Sequence, residues 1–576
     1  MSLKECLFLL GVILAVAIPI ALAPTAPREG GRRWQASDTP CPLGRKVPIA
    51  PITGRACAVK VDWNTVRDDP ARKLTLSWMG SPAHPTAHEG TWPEKNLEEK
   101  FNVKFKPIFQ DWNSYRRRRP LMLSGGEVPD VNWDGDPIYV RRNVHHGFVM
   151  EVPYEVILRY APTYVKYLNR YGREAWLYSY YRGKNYGIPT FAACDVFPHV
   201  AVWRMDWLRK VGITKVPDTL DEMHEASRRF RFGDPDGNGL KDTYATCPVI
   251  HWSLTFVEVF CAYGVLPQDF IMKDGQVVWG GVQPEAKQAL ALLHQWYEED
   301  LIDPDFATGT DDTSFSYKKF QNGRNGYMYS GGDWRSLDLN NPNSMYSMMR
   351  ELNPKVELAP CRPPLGGDGK RRKRVWGGPG HVIWFGKQVA KAPEKVVRVL
   401  RMFEAFATDK DLFVESRIGR RGVHWEWSPA RGLYPLPPYH ERGADTRELL
   451  GFGPFENCYG FYSACSAPLE FTNEYLPQGN LEFRQKYCPP EWGFKNALGK
   501  SDVVDSAGEY LEDLRQFQMT AYVQIIRGDK PLDYFDEFVR LWRKRGGDIL
   551  TREANEMLRE AREIYQKVGM GKDTRK

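Results

Sequence analysis

The order of apolar and polar positions along this chain predicts its first elements. KLTLSWMG, residues 73–80, is an apolar stretch that ends in glycine and predicts a strand. A polar, helix-compatible stretch follows in PEKNLEEKF (93–101), and VKFKPIF (103–109) predicts a second strand. That strand–helix–strand alternation implies an α/β lobe. In VPDTLDEMHEASRRFRF (216–232), Thr219 and Glu222 have the spacing of a capping box, and Leu220, Met223, Ser227 and Phe230 share one helical face. PEAKQALALLHQWYEED (284–300) opens on Pro284 at a first-turn position and carries Ala286, Leu290, Leu293 and Tyr297 at helical spacing. Near the end, PLDYFDEFVRLWRKRGG predicts a helix stopped by Gly546 and Gly547, with a last amphipathic helix over 551–567. No repeat of 20–50 residues recurs.

Composition narrows the class. Of 576 residues, 42% are hydrophobic and 26% charged, which excludes a disordered or collagen-like chain. The length suits two large lobes or three to four smaller units. The net charge of +7 is unevenly placed. Residues 28–60 hold seven basic and two acidic side chains, and the last ten residues add a net of +3, so the body between is near neutral. Bulk charge therefore gives no case for nucleic-acid binding.

Residues 6–23 are apolar apart from Cys6 and follow Lys4, as in a signal peptide. The run is also long enough to serve as a membrane anchor. Ala21-Leu22-Ala23 resembles a cleavage site, although Pro24 would hinder processing, and no lipobox cysteine closes the run. Six prolines between 24 and 51 mark an extended, basic linker that reaches residue 71. Ten cysteines show neither CxxC spacing nor a histidine cluster. Export permits disulfides, and most of the cysteines are expected to be small buried hydrophobes.

DPDGNGLKDTYA (234–245) carries the most specific local chemistry. Asp234, Asp236 and Asn238 alternate, Gly239 permits a sharp turn, Leu240 offers a backbone carbonyl and Asp242 a further carboxylate. Oxygen donors at this spacing suit calcium. Position twelve is Ala245, so the bidentate glutamate of an EF-hand is missing, and Thr243 adds only a hydroxyl. Calcium as a structural ion is expected, against a metal-free Asp/Asn/Gly turn.

VWRMDWLRKVGITKVPDTLDEMHEASRRFRFGDPDGNGLKDTYA (202–245) resembles the family 1 extracellular solute-binding proteins of ABC importers. Within them it is similar to the branch of alginate-oligosaccharide-binding and LipO-type receptors. LSGGEVPDV (123–131), GKNYGIP (183–189), the segment 273–306, NGRNGYM (322–328) and the segment 525–557 agree in order, so the resemblance spans roughly residues 72–567. RIGRRGVHWEW (417–427) departs from it, with Arg420 and Arg421 where the branch reads Gly-x-Glu-Gly.

The resemblance implies a two-lobed α/β periplasmic-binding-protein fold with an interlobe cleft and hinge crossovers. Residues 1–23 are then a signal peptide or N-terminal anchor and 24–71 a linker. Lobe one takes 72–198 plus 376–428 and lobe two 199–375 plus 429–566, with the calcium-type loop (234–243) on lobe two and a basic tail at 567–576. The implied role is an exported receptor, periplasmic or attached to the outer face of the cytoplasmic membrane. It would deliver an oligosaccharide to permease subunits of an ABC importer, as a monomer and without catalysis.

Sugar rings stack on aromatic planes, and their hydroxyls need carboxylates and amides. Trp78, Trp133, Asp134, Trp252, Asp333, Trp334 and Trp376 fall at positions that match cleft loops of the family, against core packing for any one of them. Two basic runs, Arg116–Arg119 and KRRKR (370–374), are solvated faces or, for the second, a contact for an anionic sugar. A sensor or adhesin on the same fold is the alternative function. A carbohydrate-active enzyme is a further one, needing two opposed carboxylates, or a base with a charge neutraliser, at cleft loops, with Asp134 and Asp333 as a conceivable pair that nothing around them specifies.

Overall fold

Strand β1 (Leu74–Met79) buries Leu74, Leu76 and Trp78 and exposes Thr75, the period-2 signature of a strand with one covered face. In the computed structural model it is joined by β2 (Val103–Pro107), β3 (Val131–Asp134), β4 (Ile188–Phe191), β5 (Val200–Arg204), β6 (Tyr327–Gly332), β7 (Leu358–Pro360) and β8 (Pro379–Phe385). Five of these strands form one sheet in the order β2-β1-β3-β8-β4, and three form a second in the order β6-β5-β7. The model describes residues 60–80, 89–110, 112–191, 200–247, 255–307, 314–332, 334–339, 344–437, 471, 474 and 478–570.

In the first sheet β1 runs parallel to β2 and β3, with Leu74 beside Val103 and Trp78 beside Val131. The late strand β8 enters antiparallel between β3 and β4. In the second sheet β5 lies antiparallel to both neighbours. One sheet thus draws on residues 74–191 and 379–385, the other on 200–360. The alternation of strands and helices places this chain in the α/β class.

The helices follow the apolar periodicity. α1 (Trp112–Ser124) contains Pro120. α2 (Leu220–Phe232) buries Met223, Ala226, Ser227 and Phe230. Its cap matches the predicted spacing: Thr219 Oγ1 accepts from Glu222 N at 3.2 Å. The Glu222 carboxylate reaches back one residue past the cap, accepting from Asp218 N at 2.7 Å, and also pairs with Lys215. α3 (Pro284–Glu298) buries Ala286, Ala289, Leu290, Leu293 and Trp296, and leaves Tyr297 half-buried. α4 (Glu394–Thr408) covers the first sheet's side, its Phe403 ring 5.2 Å from Tyr164. α5 (Ala507–Ile526) packs against α3.

The C-terminal end keeps the expected stop and moves one boundary. The helix Tyr534–Trp542 leads into a kink over Arg543–Gly547, and α6 (Asp548–Lys567) follows. The first helix ends at the glycines, as the sequence predicts. Gly546 takes φ 121, which an L side chain rarely adopts, and the following residues resume the helix at once. The last helix therefore starts at Asp548, three residues before the periodicity suggested.

Candidate ligand-binding site

Two stretches connect the sheets and gather polar side chains from both. In the first, Lys373–Arg374 pairs in parallel with Gly493–Phe494, then passes Trp376 and enters β8. This passage presses on Tyr171–Gly172. A Cβ on Gly378 would sit 1.3 Å from the Tyr171 carbonyl oxygen, so only glycine fits. Trp376 is 38% exposed, and the Arg374 guanidinium carbon lies 4.0 Å from its ring centroid. Arg374 is itself buried and bonds Asp269 through Nε at 3.2 Å.

The second stretch, 493–505, is tied to both sides. Lys495 pairs with Glu174 at 2.9 Å, and Asn496 donates to Asp269 at 3.0 Å. Lys500 pairs with Asp136 at 2.6 Å and also donates to the Gly135 carbonyl. Asp505 pairs with Arg141, and Asp502 accepts from Ile138 N at 3.3 Å. Burial, and then the neighbouring Asp136, push the Asp502 carboxyl up. His381, beside Trp133 at 4.7 Å, has its imidazole pushed down to about 4 by burial and by Lys500. It is neutral at neutral pH, and Nδ1 donates to the Gly135 carbonyl at 3.4 Å, since a carbonyl only accepts. Asp136, Glu174, His381, Lys495 and Lys500 carry no motif. Their sequence separations hide that they meet.

The residues singled out from sequence divide in space. Trp376 is exposed at the first passage, whereas Trp78 (0%) and Trp133 (1%) lie in the core of the first sheet. Asp134, at the end of β3, is also buried, and all its acceptor capacity is engaged. Oδ1 accepts from Tyr115 Oη at 2.9 Å and Arg119 Nη1 at 2.8 Å. Oδ2 accepts from Arg119 Nη2 at 3.1 Å, Asn143 Nδ2 at 3.3 Å and Trp384 Nε1 at 2.5 Å. Burial raises the Asp134 carboxyl pKa, while Arg119, Trp384 and Tyr115 pull against it. Trp252, Asp333 and the Trp334 side chain lie outside the described residues; the Trp334 backbone opens the short helix Trp334–Leu337.

The two basic runs are solvated only in part: Arg117, Arg118 and Lys370 are exposed, while others are drawn inward. Arg119, the last of the first run, is the buried partner of Asp134. In the second run Arg371 pairs with Asp218 at 2.6 Å, Arg372 with Asp368 at 2.5 Å and Arg374 with Asp269, and Lys373 is buried. A pocket of about 370 Å³ lies against this run, lined by Lys370, Arg371, Arg372, Glu491, Trp492 and Phe494. At the departure from the family pattern, Arg421 pairs with Glu426 at 2.5 Å and Arg420 N donates to His424 Nδ1 at 2.8 Å.

The 234–243 loop is curled by its own side chains. Asp234 Oδ1 accepts from Gly237 N (2.9 Å) and Asn238 N (3.0 Å), and Oδ2 from Gly239 N (3.0 Å). The Asn238 amide bridges Asp236 (2.9 Å) and Asp242 (3.1 Å), while its oxygen accepts from Leu240 N (2.7 Å). Arg324 also pairs with Asp242, and Thr243 donates to the Phe230 carbonyl at 2.7 Å. Burial and Asp234 together push the Asp236 carboxyl up. Two carboxyl groups this close repel when both are ionised, which is the condition a divalent ion relieves. Among the described residues no three His, Cys, Asp or Glu side chains are gathered as a metal cluster.

No protein-family model matches the chain. It is 22% identical to lipoprotein LipO of Bacillus subtilis over 531 residues, covering 90% of this chain and 98% of LipO. It is 24% identical to the polygalacturonan/rhamnogalacturonan-binding protein YtcQ of the same organism, covering 66% of this chain and 71% of YtcQ. To the fructooligosaccharide ABC transporter substrate-binding protein FusA of Streptococcus pneumoniae it is 24% identical, over 49% of this chain and 53% of FusA. Two of these relatives, YtcQ and FusA, are thus binding proteins by name, and FusA is the substrate-binding protein of an ABC transporter. Its fold is that of the periplasmic binding proteins: the alginate-binding protein AlgQ2, solved without calcium ion, superposes with a TM-score of 0.60 at 18% identity, over 85% of this chain and 98% of that one. That likeness makes the two sheets the cores of a two-lobed α/β fold. No helix among the described residues is long and apolar enough to cross a membrane.

Proposed function

We propose that this protein is an exported solute-binding receptor that captures an oligosaccharide between its lobes and presents it to the permease of an ABC importer, without chemical turnover. The single observation that carries this reading is the near full-length likeness to LipO, joined to sugar-binding relatives. Within it, Trp376 is the stacking platform. Its exposed ring stands at a passage between the two sheets, backed by the Arg374 guanidinium, where an apolar sugar face would be sandwiched as the lobes close. Lys495, whose side chain lies against Gly377, offers a charged group for hydroxyls there, and the Lys500–Asp136 pair is a further candidate. Trp252, Asp333 and Trp334 would complete the ligand contacts, and Trp78, Trp133 and Asp134, which are buried, would act through the core of the first sheet. The basic lining of the 370 Å³ pocket favours a ligand with carboxylate groups.

The same reading assigns the 234–243 loop to structural calcium. Asp234, Asp236, Asn238, the Leu240 carbonyl, Asp242 and Thr243 would hold it. The ion would supply the positive charge that Asp234 and Asp236 lack, Asp242 being already paired with Arg324. The apolar N-terminus and the LipO likeness support export, to the periplasm or to the outer face of the cytoplasmic membrane. Native mass spectrometry of protein from its own cells tests the function. A retained oligosaccharide, matched one to one with protein, supports it; a retained non-carbohydrate ligand would exclude it.

A further inference from the structure

We infer that Lys373 and Cys488 are an oxidation site, where the lysine amine and the cysteine thiol become joined through one oxygen atom. Lys373 Nζ stands 3.4 Å from Cys488 Sγ, and both residues are more than nine-tenths buried. Every other cation of the 370–374 run with a buried head has a carboxylate partner, as Arg374 has Asp269. Among the described residues Lys373 has none, and the thiol is the partner its side chain meets. A buried lysine without a counter-ion is a costly arrangement. It becomes chemically useful when the amine must be neutral to act as a nucleophile, and burial lowers the Lys373 pKa in that direction.

Access decides which oxidation can occur. Cys488 is too enclosed for a bulky thiol, so glutathione-type mixed disulfides are excluded by size. Lys373 lines a cavity of about 20 Å³ with Cys361 and Tyr487, room for one water-sized molecule such as dioxygen. The step then balances with dioxygen as oxidant. The O–O bond breaks, one oxygen bonds Sγ and Nζ, and the other leaves as water with the thiol hydrogen and one amine hydrogen. Sulfur and nitrogen each give up two electrons, and the two oxygens take the four. Four equivalents of a small thiol reverse it, returning thiol, amine and water.

The geometry also assigns a consequence. Lys373 pairs with Gly493 in the short parallel ladder, and Cys488 follows the helix Gln478–Tyr487. A link between them fastens the first passage between the sheets to the segment that leads into the second. The protein would be stiffer at the crossover when oxidised.

Full-length protein, exposed to air and then digested and mapped by mass spectrometry, tests this directly. The expected product is one cross-linked pair of peptides containing Lys373 and Cys488, heavier than their sum by one oxygen less two hydrogens. Dithiothreitol should release it, and Lys373→Arg and Cys488→Ser should each abolish it. Unmodified Lys373 after prolonged aeration, a Cys488 disulfide two hydrogens lighter, or sulfinic acid on Cys488 alone would each overturn the inference. The mapping on wild-type protein stands even where a variant folds poorly.

Discussion

Asp134→Ala separates a core lock from a ligand contact. The Arg119 and Asp134 side chains are 4% and 1% exposed, so the substitution leaves a buried guanidinium without its carboxylate. Breaking a buried pair from one side costs about 3–5 kcal/mol. Tyr115, Asn143 and Trp384 lose an acceptor too, each worth about 1–3 kcal/mol if it finds no substitute, and the losses overlap because they share one group. Arg119 keeps its bond to the Trp133 carbonyl at 2.7 Å, which limits the total. The expected loss is therefore about 3–5 kcal/mol in a urea melt at unchanged slope. Arg119→Met combined with Asp134→Leu should recover part of it, because no charge is then stranded. A loss below about 1 kcal/mol, the scale of a surface pair, would refute the reasoning. If affinity fell while stability held, Asp134 would touch ligand directly.

Trp376→Ala should weaken oligosaccharide binding by about 2–4 kcal/mol in isothermal titration, with little change in the melting of ligand-free protein, since the ring is 38% exposed. Glu258 is buried, and burial pushes its carboxyl up to about 7. The unfolded chain releases that proton near its ordinary value of 4.5, so stability should fall by about 3 kcal/mol as pH rises from 4.5 to 7. Urea midpoints of Glu258→Gln should lack that slope, and an unchanged slope would remove the assignment. Chelation should lower the melting temperature of the wild type but not of an Asp234→Ala, Asp236→Ala variant; equal responses would remove calcium from the loop.

Local physics made the elements legible. Thr219 caps α2 because a hydroxyl reaching an N–H three residues on is a short-range geometry that sequence spacing encodes. The same holds for Pro284 opening α3 and for the alternation in β1. The buried members of the basic runs are not legible in the sequence because their partners are remote. Asp218 lies 153 residues from Arg371, and Asp269 lies 105 from Arg374. Nothing local reports a burial that two distant segments create together. The tryptophans show the same limit: Trp78 and Trp376 each fall beside a strand end, yet one is enclosed by the sheet and the other stands out at the passage. Gly546 and Gly547 are legible as a helix stop because Gly546 takes a φ that an L side chain rarely adopts, whereas the exact start of α6 at Asp548 is not encoded in the spacing of its apolar positions.

The central claim is reversible capture of an intact oligosaccharide. Titrating the mature protein with neutral and carboxylated oligosaccharides of matched length, then recovering the ligand by chromatography, tests it most directly. The account predicts saturable one-to-one binding, tighter for the carboxylated series, with every ligand returned unchanged after long incubation. Steady release of shorter sugars, or no binding to either series, would contradict it.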